Sequence, residues 1–145
     1  MEVQVEHLGA LQFEIKARQH SVISDQPAEN GGFDEGMTPP ELLLASLGSC
    51  VAYYAAAYLR KQKLAEQGTR VRLTADKIKD ERGARLDNFR VYVDAPHGLE
   101  PTHMEGIERE AHRCLIHNTL FHPPTMVIEI HAPALAQEEA VTLEK

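Results

Sequence analysis

Two cysteines are the residues in this chain best able to do covalent chemistry. Cys50 sits in the middle of an uncharged run, and Cys114 lies 64 positions further on. That separation leaves no C-x-x-C redox or metal signature. The thiolate is the nucleophilic form of cysteine, and a nearby cation is what lowers its pKa. If two such sulfurs meet, the natural reaction is thiolate attack on a peroxide or disulfide. The second thiol then captures the resulting sulfenic acid. Taken singly, a buried cysteine also serves as a small hydrophobic residue, and the sequence leaves that reading open for both. The cations available to ionise one sulfur are Arg18, Arg85, Arg113 and His117. Eight histidines and a cysteine invite a zinc reading, but His112 and His117 stand five apart, a poor helical pair, and no carboxylate motif joins them.

Each cysteine needs an element to hold it. The stretch Met37 to Leu64 predicts a long helix around Cys50. Thr38 and Glu41 have the spacing of a capping box, with Pro39 suited to the first helical position. Glu41 has a second reading, as a carboxylate that steadies an arginine over Cys50. Arg60, Lys61 and Lys63 favour the far end of the helix, and Gly68 stops it. The 18 residues from Leu42 to Leu59 carry no charge. That length raises a membrane span. Alanines, serines and Gly48 dilute the run, so it reads instead as a helix buried on nearly all sides, with a second subunit helping to cover it. Tyr53 and Tyr54, three and four residues after Cys50, read as core or interface aromatics. Thr102 and Glu105 repeat the capping-box spacing and open a second helix to about His117, with Cys114 near its apolar face.

Period-two alternation supplies the rest. Strands are predicted at Val3–Val5, Leu11–Ala17 and Ser21–Ser24, with a Gly9–Ala10 turn. A hairpin follows from Val71–Ala75 and Phe89–Ala95, turning over 81–85, and a last strand from Met126 to Ile130. The loop Asp25–Gly36 is too rich in glycine for regular structure. The order predicts one α+β domain over 1–133, mostly antiparallel sheet wrapped around a long central helix and a second helix, with a loose tail over 134–145. Arg18 reads as an exposed strand residue.

The formal charge of −7, from 15 basic and 22 acidic residues, leaves no basic stripe for nucleic acid. Nothing at the start reads as a signal peptide, and a leaderless chain with two cysteines suggests reduced thiols in the cytoplasm.

The segments P-A-E-N-G-G-F-D-E-G, T-P-P-E-L-L-L-A-S-L-G-S-C and C-L-I-H-N-T-L together resemble the OsmC/Ohr family. The element order fits that family from near residue 1 to about 131. The resemblance implies an intertwined homodimer with the long helices at its centre. It also implies reduction of organic hydroperoxides without metal or other cofactor. Cys50 matches the family position that attacks the peroxide, and Cys114 the one that forms the disulfide. A dithiol such as a lipoylated protein would then reduce the pair. Within this pattern Glu41 is the nearest counterpart of the family's carboxylate, and Arg18 is the nearest arginine. A rival expectation is a dimer of the same fold that binds a small apolar ligand without turnover.

Overall fold

A computed structural model describes residues 1–81 and 83–132. The tail expected over 134–145 lies outside the described residues. Among the described residues the architecture is α+β, with two separate antiparallel sheets and three α-helices.

The first sheet has the order β1 (Gln4–Gly9), β2 (Gln12–Ala17), β3 (His20–Ser24). Its alternation produces two unlike faces. Val5, Ile15 and Val22 are in cross-strand register and share one face with Phe13. Lys16 lies on the other face and holds Glu6 and Glu14, each at 2.9 Å. The turn after β1 falls at Gly9 and Ala10 as predicted, with Ala10 at φ 44°. Arg18 is not a strand residue. It sits in the next turn at φ 55°, because the chain must reverse between Ala17 and His20.

Asp25 organises the loop that follows. Its buried carboxylate accepts hydrogen bonds from the N–H groups of Gln26 (2.7 Å), Phe33 (3.1 Å) and Glu35 (3.2 Å) and from the Gln12 amide (3.3 Å). Burial alone would raise the pKa of Asp25. These four donors outweigh it, and the net displacement is downward. A Cβ on Gly32 would come within 1.9 Å of the Gln26 carbonyl oxygen, so only glycine fits against this turn.

Helix α1 (Pro39–Lys61) begins where the capping signals place it. The Glu41 carboxylate accepts from the Thr38 N–H at 2.7 Å and from its hydroxyl at 2.8 Å. Leu47, Val51, Ala55 and Leu59, at i+4 intervals, form one buried stripe. Within one chain the burial is one-sided: Leu43 and Tyr53 are exposed, Tyr53 by 67%. One hairpin and two short helices are too small to surround 23 residues. Among the described residues α1 is also the helix long and apolar enough to cross a membrane by length and composition.

Strands β4 (Arg70–Asp80) and β5 (Gly83–Asp94) form the second sheet and extend well past the apolar residues that signalled them. Their inner residues Val71, Leu73, Phe89 and Val93 pack on the α1 stripe. Helix α2 (Pro101–Ala111) starts one residue before Thr102, with Glu100 as its cap, because Pro101 takes the first helical position. The single helix expected to His117 is in fact two. The chain breaks at Cys114, whose ψ of 125° is extended, and α3 (Leu115–Phe121) begins after it. Tyr58 of α1 meets α2 closely. Its hydroxyl lies 3.2 Å from His103 Nδ1, and a Cβ on Gly106 would come within 2.1 Å of the same oxygen.

The strand expected at Met126–Ile130 is absent as a paired element. Val127, Ile128 and Ile130 are at least 80% exposed, and among the described residues no sheet edge pairs with them. The first sheet has a similar isolation. It makes no extended contact with any of the three helices or with the second sheet.

Candidate functional site

The site forms where the α1 stripe meets the break between α2 and α3. Leu47 and Val51 anchor α1 against the second sheet, and Cys50 lies between them in sequence, turned toward Cys114 and half-buried. Cys114 has no solvent exposure. Its sulfur caps α3 by accepting the main-chain N–H of His117 at 3.4 Å. Both cysteines are free thiols, and they belong to one packed cluster with Leu47, Val51 and Tyr54.

The pair is asymmetric. Burial pushes the Cys114 thiol above its ordinary pKa, and the neighbouring Cys50 side chain adds to the rise through a hydrogen bond. The N–H groups of His117 and Ile116 act in the other direction without reversing it. Cys114 is therefore held as a protonated thiol, and Cys50 is the sulfur that solvent can reach.

Arg18 is exposed at the tip of the first sheet. Arg85 pairs with Asp80 and, at 3.5 Å, with Asp87 on the hairpin. Arg113 pairs with Glu110 at 3.1 Å. Among the described residues none of these guanidinium groups is bonded to Cys50. Glu41 is committed to Thr38, whose main-chain N–H and then hydroxyl lower the carboxyl's pKa. It holds no arginine. The structure thus brings the two sulfurs together and leaves Glu41 and Arg18 elsewhere in the protomer.

A groove of about 1150 Å³ runs beside the cluster, lined by Leu47, Val51, Phe89, Ile107, Leu120 and Phe121 among others. Leu47 and Val51 also touch the cysteine cluster, but neither sulfur is part of the groove wall. His112 and His117 face the groove with ring centroids 5.4 Å apart. No set of three or more metal-ligating side chains converges among the described residues. The sequence reading missed Cys114 as a helix cap. The available signal was its likeness to serine, which can cap through its side-chain oxygen.

A long capped helix carrying one cysteine, packed on a hairpin and on a helix break carrying the other, defines an OsmC-type domain. The family model for OsmC-like proteins matches residues 32–129, and the chain belongs to that family. No curated protein matches the sequence. Solved structures show the same fold. One, from Psychrobacter arcticus 273-4, is provisionally named an osmotic stress induced and detoxification response protein. It is 22% identical with a TM-score of 0.73, over 81% of this chain and 85% of that one. An OsmC-like protein from Mycoplasma pneumoniae is 17% identical with a TM-score of 0.72, over 83% and 86%. An organic hydroperoxide resistance protein OsmC from Legionella pneumophila is 18% identical with a TM-score of 0.63, over 83% and 89%.

Proposed function

We propose that the protein reduces organic hydroperoxides through Cys50 and Cys114, as a cytoplasmic homodimer. The observation that carries this reading is the contact between an accessible thiol and a fully buried one in a single apolar cluster. The Cys50 thiolate attacks the terminal oxygen of R–O–OH. The O–O bond breaks, Cys50 becomes S–OH, and the alkoxide leaves as alcohol after taking a proton. The Cys114 sulfur then attacks the Cys50 sulfur, a disulfide forms, and water leaves. A dithiol such as a lipoyl group exchanges with the disulfide, becoming oxidised itself and restoring both thiols.

The activating cation comes, on this reading, from the second subunit. Arg18 lies at the tip of a sheet whose apolar face, with Val5 and Val22, its own chain leaves exposed. In a dimer that sheet covers the partner's helical half, and the same contact hides the open sides of α1. Helix α1 is then a dimer core rather than a membrane span. The resemblance of the fold to proteins named for organic hydroperoxide resistance supports the substrate class.

A second reading, binding of a small apolar ligand without turnover, is favoured by the groove and by the absence of a guanidinium on Cys50 among the described residues. The two part on one assay. Consumption of tert-butyl hydroperoxide with dihydrolipoamide as reductant is expected of the wild type and lost, by about 10³-fold or more, in Cys50→Ser. An equal rate in the variant contradicts the thiol mechanism.

A further inference from the structure

A disulfide between Cys50 and Cys114 offers a reductant two sulfurs, and the fold treats them differently. Cys114 has no solvent exposure, and hydrocarbon encloses it: Leu47 and Val51 of α1, Phe89 of β5, Ala111 of α2 and Ile116 of α3 share its cluster. Its sulfur also faces the start of α3. There the main-chain N–H of His117 donates to it at 3.4 Å, and that of Ile116 acts in the same direction. Cys50 is only half-buried, on the middle of α1, where main-chain N–H groups are spent on carbonyls one turn back. In thiol–disulfide exchange the attacking thiolate must reach one sulfur, and the other leaves with the electron pair. Reach favours attack on Cys50. The fate of the charge favours Cys114 as the leaving sulfur, because two N–H donors already point at it. Burial raises the Cys114 pKa, which slows its departure. The donors limit that penalty, and once the sulfur has left, the same burial returns it to the thiol form.

We infer that the regenerating dithiol attacks Cys50 rather than Cys114, so that reduction passes through a mixed disulfide on Cys50 with Cys114 released. One sulfur of the dithiol, as thiolate, bonds to the Cys50 Sγ. The Cys50–Cys114 bond breaks, its electron pair goes to the Cys114 Sγ, and that sulfur takes up the proton the dithiol gave. The second dithiol sulfur then attacks the first, a cyclic disulfide leaves, and Cys50 departs as thiolate. Two electrons have passed from the dithiol to the cysteine pair. The inference rests on the two-thiol reading for its place in turnover and adds a division of labour to it. Cys50 meets both oxidant and reductant, while Cys114 meets only Cys50.

Exchange with a monothiol stops the reaction at the mixed disulfide and reveals which sulfur was attacked. Wild-type protein is oxidised with diamide, so that no peroxide is needed, and the Cys50–Cys114 bond is checked by peptide mass. The oxidised protein meets excess glutathione briefly, is quenched in acid with N-ethylmaleimide, and is mapped by mass spectrometry. Glutathione is expected on Cys50 with Cys114 alkylated, in at least about tenfold excess over the reverse isomer, because access to the attacked sulfur governs exchange. Equal amounts of the two isomers, or glutathione mainly on Cys114, overturn the inference. If Cys114 re-closes the bond faster than the quench, the folded single variants decide. Ellman's disulfide should then react with Cys50 in Cys114→Ser at least about tenfold faster than with Cys114 in Cys50→Ser, and equal rates overturn the inference. Failure of the peroxidase reading looks different: the disulfide made with diamide exchanges at Cys50, yet hydroperoxide produces no such disulfide. A wild type in which even diamide joins no pair loses both.

Discussion

The N-terminal sheet and the helical half of this protein dispose of their apolar side chains in different ways. The helical half owns its core: Leu47, Val51, Ala55, Leu59, Ile107 and Cys114 are buried within one chain. The first sheet has an equally regular apolar face, yet Val5 is 59% and Val22 is 47% exposed. A face of that kind is stable in water only when something covers it. The chemistry follows the same division, since both sulfurs lie in the half that packs on itself, and Arg18 lies in the half that does not.

The largest expected effect is in the self-contained half. Leu59→Ala removes a fully buried side chain and should cost about 2–5 kcal/mol, read as a lower midpoint in urea. That cost should not depend on protein concentration if the core is the chain's own. A strong concentration dependence would blur the contrast between the halves.

Ile15→Asp probes the other half. On a free sheet face the charge would be solvated and change little. If a second copy covers the face, a buried unpaired carboxylate results, and assembly should fail. Light scattering is expected to show the dimer mass for wild type and the monomer mass for the variant. A dimer of unchanged mass in the variant would mean that this face is not the interface.

A smaller effect joins the two halves through Asp25. Its carboxyl is displaced below the ordinary value of 3.8 in the folded protein. A depressed folded pKa means that the stabilisation is present above the unfolded pKa and fades as pH falls through the folded one. Stability should therefore drop below about pH 4, and Asp25→Asn should flatten that acid limb while lowering the melting temperature at pH 7 by several degrees. An acid limb of the same depth in Asp25→Asn would remove Asp25 from the account.

Local signals carried much of this architecture. The capping residues Thr38 and Glu41 placed the start of α1, and alternation placed the first three strands and both arms of the hairpin. What stayed hidden depended on partners far along the chain. Nothing between Ala111 and Leu115 breaks a helix by type, and the interruption appears only because Cys114 turns inward to meet α1. Met126–Ile130 has a strand's composition but, among the described residues, no edge to join. The apolar run of α1 reads as buried on nearly all sides with a second subunit helping, and residue type does not say which side each chain covers. At the site, the pairing of Cys50 with Cys114 was an expectation drawn from resemblance. The carboxylate role for Glu41 was also legible as a possibility, but Thr38 takes that side chain for the cap.

The measurement closest to the central claim treats reduced wild-type protein with one equivalent of an organic hydroperoxide and maps its cysteines by mass spectrometry without reduction. The expected product is a peptide pair joined through Cys50 and Cys114, two hydrogens lighter than the separate thiols and absent in Cys114→Ser. Recovery of both cysteines as free, alkylatable thiols, or of Cys50 oxidised with Cys114 untouched, would contradict it.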